Sequence, residues 1–232
     1  MGCACVVNQK DRTNQELNQF WEHMQIRSKN SIDMYALFKI KGQNKAEISE
    51  EKWESIINSI LSNTTTEKCQ KVSTEFWLNQ VKKAKETKRE HYLILSILFL
   101  SNSTEDIFIM NFIKTCKTLC GIDISDDDNI SKDALVGLLR YYFELLTDPF
   151  IYSQISTEQV DIFDKEKKEI GNIAEGIELL INELCNPKQT DGKFININSF
   201  LTTNYTLLRN DAKIRTLIMY NDSNNLSTDV TN

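Results

Sequence analysis

The chain is poor in everything that breaks a helix. In 232 residues it carries 2 prolines and 7 glycines, which disfavours a turn-rich β sandwich and favours helices. Histidine is nearly absent, with His23 and His91 alone. There is no HExxH, no GxGxxG, no phosphate-binding P-loop and no GxSxG. Nothing in the pattern points to catalysis, and the chain reads as non-enzymatic. Long apolar runs are missing as well. The longest, Tyr92 to Leu100, is too short to span a bilayer and reads as a buried core helix. The start of the chain lacks the apolar stretch of a secretory signal. The six cysteines, Cys3, Cys5, Cys69, Cys116, Cys120 and Cys185, form neither a disulfide framework nor a zinc knuckle. A reducing cytoplasm is the expected setting. Cys116 and Cys120, four apart on an expected helix, read as small core or half-buried residues. The net charge of −6 argues against a nucleic-acid partner.

What is present is an ordinary globular composition, 41% hydrophobic and 26% charged. It suffices for one large domain or two lobes of about 100 residues each. The opening, Met1-Gly2-Cys3-Ala4-Cys5, presents Gly2 as a myristoyl acceptor with Cys3 and Cys5 beside it for palmitate. Val6 stands where that pattern wants Ser or Thr. A single acyl chain binds a membrane marginally and a second makes the attachment lasting. The expectation is a protein held at the cytoplasmic face of a membrane by acyl chains.

Helix signals recur along the chain. Thr13 to Glu16 is a capping box, opening a helix with Leu17, Phe20, Trp21 and Met24 on one face. A second helix is expected from about Ser31, with Met34, Leu37 and Phe38. Ser49 caps a third that carries Trp53, Ile56, Ile57 and Ile60. Asn63 to Lys71 reads as a polar loop, followed by helices at about 74–83 and 90–101 with a basic stretch, Lys82 to Arg89, between them. Further helices are expected after Ser103, from about Lys132 to Leu146, up to about Leu184, and as one final helix from Phe200 to about Tyr220.

The segment Asp123 to Ala134 carries oxygen-bearing side chains at alternate positions: Asp123, Ser125 and Asp127, then Asn129 and Ser131, with Ile130 between the last two. This resembles an EF-hand calcium loop. Ala134 replaces the bidentate Glu that closes such loops, and Asp128 sits where Gly normally supplies the sharp turn; Asp tolerates positive φ better than most residues. Lys41 to Lys52 and Asn186 to Ser199 are poorer copies, and a fourth unit would cross Asn79 to Glu90. The Met-Gly start and the helix order from Tyr92 onward are similar to the neuronal calcium sensor and calcineurin-B-like proteins. That resemblance implies a mainly α fold of two lobes, residues 13–102 and 103–220, each a pair of EF-hand-like units. Residues 1–12 would form an acylated lead-in and 221–232 a flexible tail.

The expected function is a lipid-anchored adaptor that takes a partner protein, as an amphipathic helix, into an apolar groove independently of calcium. Trp53, Trp77, Phe108, Phe112 and Tyr142 are the candidate groove residues. A structural subunit of a cytoskeletal or ciliary assembly, and a calcium sensor with one weak Ca²⁺ site at Asp123, Ser125, Asp127, Asn129 and Ser131, are the alternatives. The basic run around Lys82 to Arg89 could add contacts to anionic lipid.

Overall fold

The computed structural model describes residues 29–42, 48–61, 67–148, 172–185 and 192–220. Over these the chain is mainly helical, with one two-stranded sheet. Gly2, Cys3, Cys5, Phe20, Trp21 and the capping box at Thr13 lie outside the described residues.

Helix α1 spans Ser31–Gly42. The Asn30 side chain caps it, accepting the Asp33 N–H at 2.8 Å. Helix α2, Glu50–Leu61, buries Trp53, Ile56, Ile57, Ile60 and Leu61 at the helical spacing seen in its sequence. Ser49 caps it as expected, its hydroxyl 3.4 Å from the Lys52 nitrogen.

Helix α3 corrects the sequence reading. It runs Glu67–Glu86, so the last residues of the expected polar loop and most of the expected basic loop are helical. The segment holds no Gly or Pro, and Lys83 and Lys85 in its last turn face the negative helix end. It stops at Lys88, whose φ is +56°. The Arg89 N–H returns to the Ala84 carbonyl at 2.7 Å and the Lys88 N–H to the Lys85 carbonyl at 3.1 Å, the hydrogen bonding of a left-handed C-cap. Helix α4, Glu90–Phe99, follows at once. Helix α3 runs through most of Asn79 to Glu90, so no twelve-residue loop forms there and the expected fourth unit is absent. Lys88→Gly removes the strain of a side chain at positive φ and is expected to raise stability by about 0.5–1 kcal/mol, read as a higher urea midpoint at unchanged slope.

Helix α4 is apolar on every side and buried from Leu93 to Phe99, which makes it the core helix its composition predicts. Helix α5, Glu105–Thr115, continues into a π-helical turn, Cys116–Cys120, closed by Gly121 at φ +61°. Strand β1 (Asn129–Ser131) leads into α6 (Lys132–Leu146). After α7 (Ile173–Leu184), strand β2 (Phe194–Asn196) leads into α8 (Ile197–Leu208). The expected single final helix is two. It breaks at Arg209 and Asn210, and Asn210 caps α9 (Asp211–Tyr220) by accepting the Lys213 N–H at 3.0 Å.

One hydrophobic core runs through all of these helices, across the expected boundary between residues 102 and 103. Helix α4 packs on α6, α1 on α5, α5 on α8, and α7 on α9. At the centre the Phe99 ring stacks on Tyr142, centroids 4.7 Å apart, and meets Phe108 and Phe112 at 5.5 and 5.2 Å. A polar junction ties the same region together. Ser103 accepts the Ser31 N–H and donates to the Ser31 hydroxyl, Asn111 donates to Ser31, and the Tyr205 hydroxyl donates to the Ser103 carbonyl.

Candidate functional site

The two strands pair antiparallel about a local two-fold centred on Ile130 and Ile195, with Asn129 opposite Asn196 and Ser131 opposite Phe194. Both central side chains are buried. Each strand's last residue caps the helix that follows. Ser131 accepts the Ala134 N–H at 3.2 Å, and Asn196 accepts the Ser199 N–H at 2.8 Å. Two helix–loop–strand–helix units, α5 to α6 and α7 to α8, are therefore joined through their loops. Ile195 stands opposite Ile130.

The first loop folds back on itself. Ile124 bridges to Ile130. The Ser125 N–H donates to the Asn129 carbonyl, and the Asn129 N–H donates to the Ser125 hydroxyl, both at 3.0 Å. The Asp128 N–H closes the turn on the Ser125 carbonyl, and Asp128 itself sits at φ +57°. A three-residue hairpin loop ending in a left-handed residue has this form. The positive φ is where the sequence placed it, and Asp tolerates it because its short polar chain bonds locally. From outside, Lys117 Nζ lies 3.4 Å from Asp128 Oδ1, and the Asn196 amide donates to the Asp127 carbonyl at 2.7 Å.

Three of the five oxygen-bearing residues of the candidate calcium site are thus drawn into the protein's own bonding. The Ser125 hydroxyl and the Asn129 carbonyl face each other's backbone, and the Ser131 hydroxyl caps α6. Asp123 and Asp127 are exposed. Among the described residues no group of three or more His, Cys, Asp or Glu side chains is placed to hold a metal ion.

The candidate groove residues are corrected more sharply. Trp53, Trp77, Phe108, Phe112 and Tyr142 are each at most 1% exposed. They are core, because the helices that carry them are packed on several sides rather than one. An open cleft lies elsewhere, between the α3–α4 turn, α6 and the start of α7, with a volume of about 500 Å³. Leu145, Ile173 and Ile177 form its apolar wall, and Lys83, Arg89, Arg140 and Glu144 its rim. Arg140 grips Glu178 with two bonds of 2.7 and 2.9 Å, and this guanidinium holds the Glu178 carboxyl below the usual carboxylate range. Asp148, buried, accepts from Gln80 at 2.9 Å and from Lys83 at 2.6 Å. Lys83 is therefore engaged with protein, while Lys82, Lys88 and Arg89 are exposed. Sequence reading missed this cleft. Its polar residues come from three helices with no shared spacing, and only the strongly polar end of α3 hinted at it.

Cys116 is buried and Cys120 half-buried, as their helical spacing suggested. Burial pushes the Cys120 thiol up to about 12 and Cys116 well above its ordinary value, so both stay protonated and unreactive at neutral pH. Burial lowers the His91 pKa, with Arg89 adding to the effect.

No protein-family model, curated protein or solved structure matches the chain. Among the described residues no helix is long and apolar enough to cross a membrane.

Proposed function

We propose that this chain is a non-enzymatic, lipid-anchored adaptor built on one pair of degenerate EF-hand-like units, and that it binds a protein partner without calcium. The observation that carries the reading is the two-fold strand pair at Ile130 and Ile195, which joins two helix–loop–helix units through their loops. An isoleucine at the centre of each loop, a capping residue next to it and a helix beginning there is the arrangement that the resemblance implies. The loops favour calcium independence. Neither Ala134 nor Ser199, three residues after the capping positions, can supply a carboxylate, and the hairpin bonds already fix the loop that an ion would otherwise organise. The partner surface is the cleft between the α3–α4 turn, α6 and α7, whose apolar wall and charged rim suit an amphipathic helix. Acylation of Gly2, Cys3 and Cys5 supplies the membrane attachment.

Calorimetric titration with calcium in physiological magnesium, with tryptophan fluorescence followed in parallel, is expected to show neither heat nor a spectral change. Saturable binding with a fluorescence change would instead establish a sensor. Ala134→Glu sharpens the test. It completes a capping box with Ser131, so it is expected to raise stability by about 0.5–1 kcal/mol even in chelator. Millimolar calcium should add nothing further; a calcium-dependent increment would mean that the loop opens to take the ion.

Gly2→Ala is expected to release the protein from membranes. Retention on a cytoskeletal or ciliary fraction despite that change favours the structural-subunit reading, which the self-closed loops fit equally well.

A further inference from the structure

The cleft between the α3–α4 turn, α6 and α7 keeps spare donors once its internal bonds are made. Both oxygens of Glu178 are taken by Arg140 Nε and Nη2, and Asp148 Oδ2 accepts from Gln80 and Lys83. Arg140 Nη1 stands outside the Glu178 fork, and Asp148 takes one of the three N–H groups of Lys83. Arg89 is exposed and forms no ion pair among the described residues. The Tyr141 hydroxyl stands out most. Tyr141 lines the cleft and is 8% exposed, yet its hydroxyl has no hydrogen-bond partner among the described residues. A buried phenol in that state costs free energy unless something else bonds to it. The hydroxyl lies toward the charged side of the cleft. Burial raises its pKa most, Glu144 and Asp148 raise it further, and Arg89 opposes them, so all three charges reach it. The Tyr141 ring sits 6.2 Å from that of Tyr92, in the first turn of α4. That helix opens at Arg89 with no side-chain cap, and Glu90, the acid of its first turn, accepts from Trp53 Nε1 at 2.6 Å. The positive end of α4 and the Arg89 guanidinium therefore reinforce each other near Tyr141.

We propose that this end of the cleft is an anion subsite, in which Arg89 and the Tyr141 hydroxyl bind a carboxylate or phosphate carried by the partner's helix. Leu145, Ile173 and Ile177 take the apolar face beside it. The inference rests on the cleft being the partner surface, and it states what the partner must present there. A phenol and a guanidinium both donate, and one oxyanion accepts from both. A cation would find Glu144 alone, which is exposed to water and has no need of a partner. Asp148 and Glu178 are already matched by Lys83 and Arg140, so Glu144 is the one cleft acid that opposes the anion without an ion pair of its own among the described residues. The partner is thus an amphipathic helix with an acidic or phosphorylated residue at the edge of its apolar face.

Urea denaturation of the full-length chain in rising sodium acetate or inorganic phosphate, with ionic strength held constant by sodium chloride, tests the subsite without a partner. An ion that binds the folded chain raises the midpoint in a saturable way. Phosphate also stabilises folded chains in general by exclusion from their surface, so the diagnostic part of the response is the part that substitutions remove. Arg89→Gln, at an exposed position, is expected to weaken the apparent affinity about tenfold or more, the loss of one charge-assisted bond. Tyr141→Phe has a crossed signature. It should raise the midpoint in chloride, because a buried hydroxyl without a partner is gone, and shrink the increment that the anion gives. Glu144→Gln should tighten binding several-fold by removing the opposing charge. A stronger response to acetate assigns Asp or Glu to the partner; a stronger response to phosphate assigns a phosphorylated residue. No saturable response to either ion, or a response that Arg89→Gln and Tyr141→Phe both leave unchanged, would overturn the subsite. The adaptor reading stands or falls on other results, membrane release by Gly2→Ala and silence toward calcium, which these titrations do not measure.

Discussion

Phe99→Ala is expected to lower stability by about 3–5 kcal/mol. Phe99 closes α4, and its ring is the common neighbour of Phe108 and Phe112 on α5 and of Tyr142 on α6. Its removal leaves a cavity that three rings, themselves held by other contacts, cannot collapse to fill. Tyr142 is pinned by its hydroxyl, which donates to the Leu208 carbonyl at 3.1 Å, and Phe108 is flanked by the Arg209 guanidinium at 5.6 Å. The same substitution reports on domain organisation. Phe99 precedes the expected boundary at 102, and its partners follow it. If the two halves fold as one unit, circular dichroism and tryptophan fluorescence will lose structure together at a lower urea midpoint. Trp53 and Trp77 both lie before the boundary and are buried, so their fluorescence reports the first half. A fluorescence transition left at its wild-type midpoint while helicity falls early would mean that the halves unfold independently.

What could be read from the sequence is the part governed by local rules. The apolar spacing in Trp53, Ile56, Ile57 and Ile60 gave α2 its buried face, and the Ser49 signal marked a real helix start. Asp128 at positive φ followed from the tolerance of Asp for that region. The errors came where residue chemistry and helix propensity diverge. Gln70, Lys71, Lys82 and Glu86 look like loop to a reading that equates polar with exposed turn, yet all are good helix formers, and α3 absorbs them. The break between α8 and α9 carried a legible signal, Asn210 followed by Asp211, that the apolar run on either side masked. The candidate groove failed for a different reason. An aromatic face on a helix says that the face is covered, not what covers it, and here neighbouring helices of the same chain do so. The cleft beside α6 is a juxtaposition of distant segments. No spacing within one segment can announce it.

Asp211→Ala is expected to cost about 3–5 kcal/mol, although it removes a side chain from a surface-seeking residue type. Asp211 begins α9 and is 2% exposed; Arg215, one turn on, is 0% exposed, with Nη1 2.8 Å from the Asp211 carboxylate. Removing the acid takes the charge-assisted bond at 2.8 Å away from a buried guanidinium that cannot deprotonate. Helix α9 packs on α7, α8 and α6, so displacing it uncovers Ile214 and Ile218, both fully buried. Arg215→Met in the Asp211→Ala background should recover stability relative to Asp211→Ala alone, because an apolar chain of similar length needs no partner. Urea denaturation of the four chains in the cycle measures this directly. A double variant weaker than Asp211→Ala would show that Arg215 contributes bonds to the rest of the core that outweigh its cost of burial. A loss below about 1 kcal/mol for Asp211→Ala would show that α9 can shift enough to hydrate the guanidinium, and that the helix is held less firmly than its buried face implies.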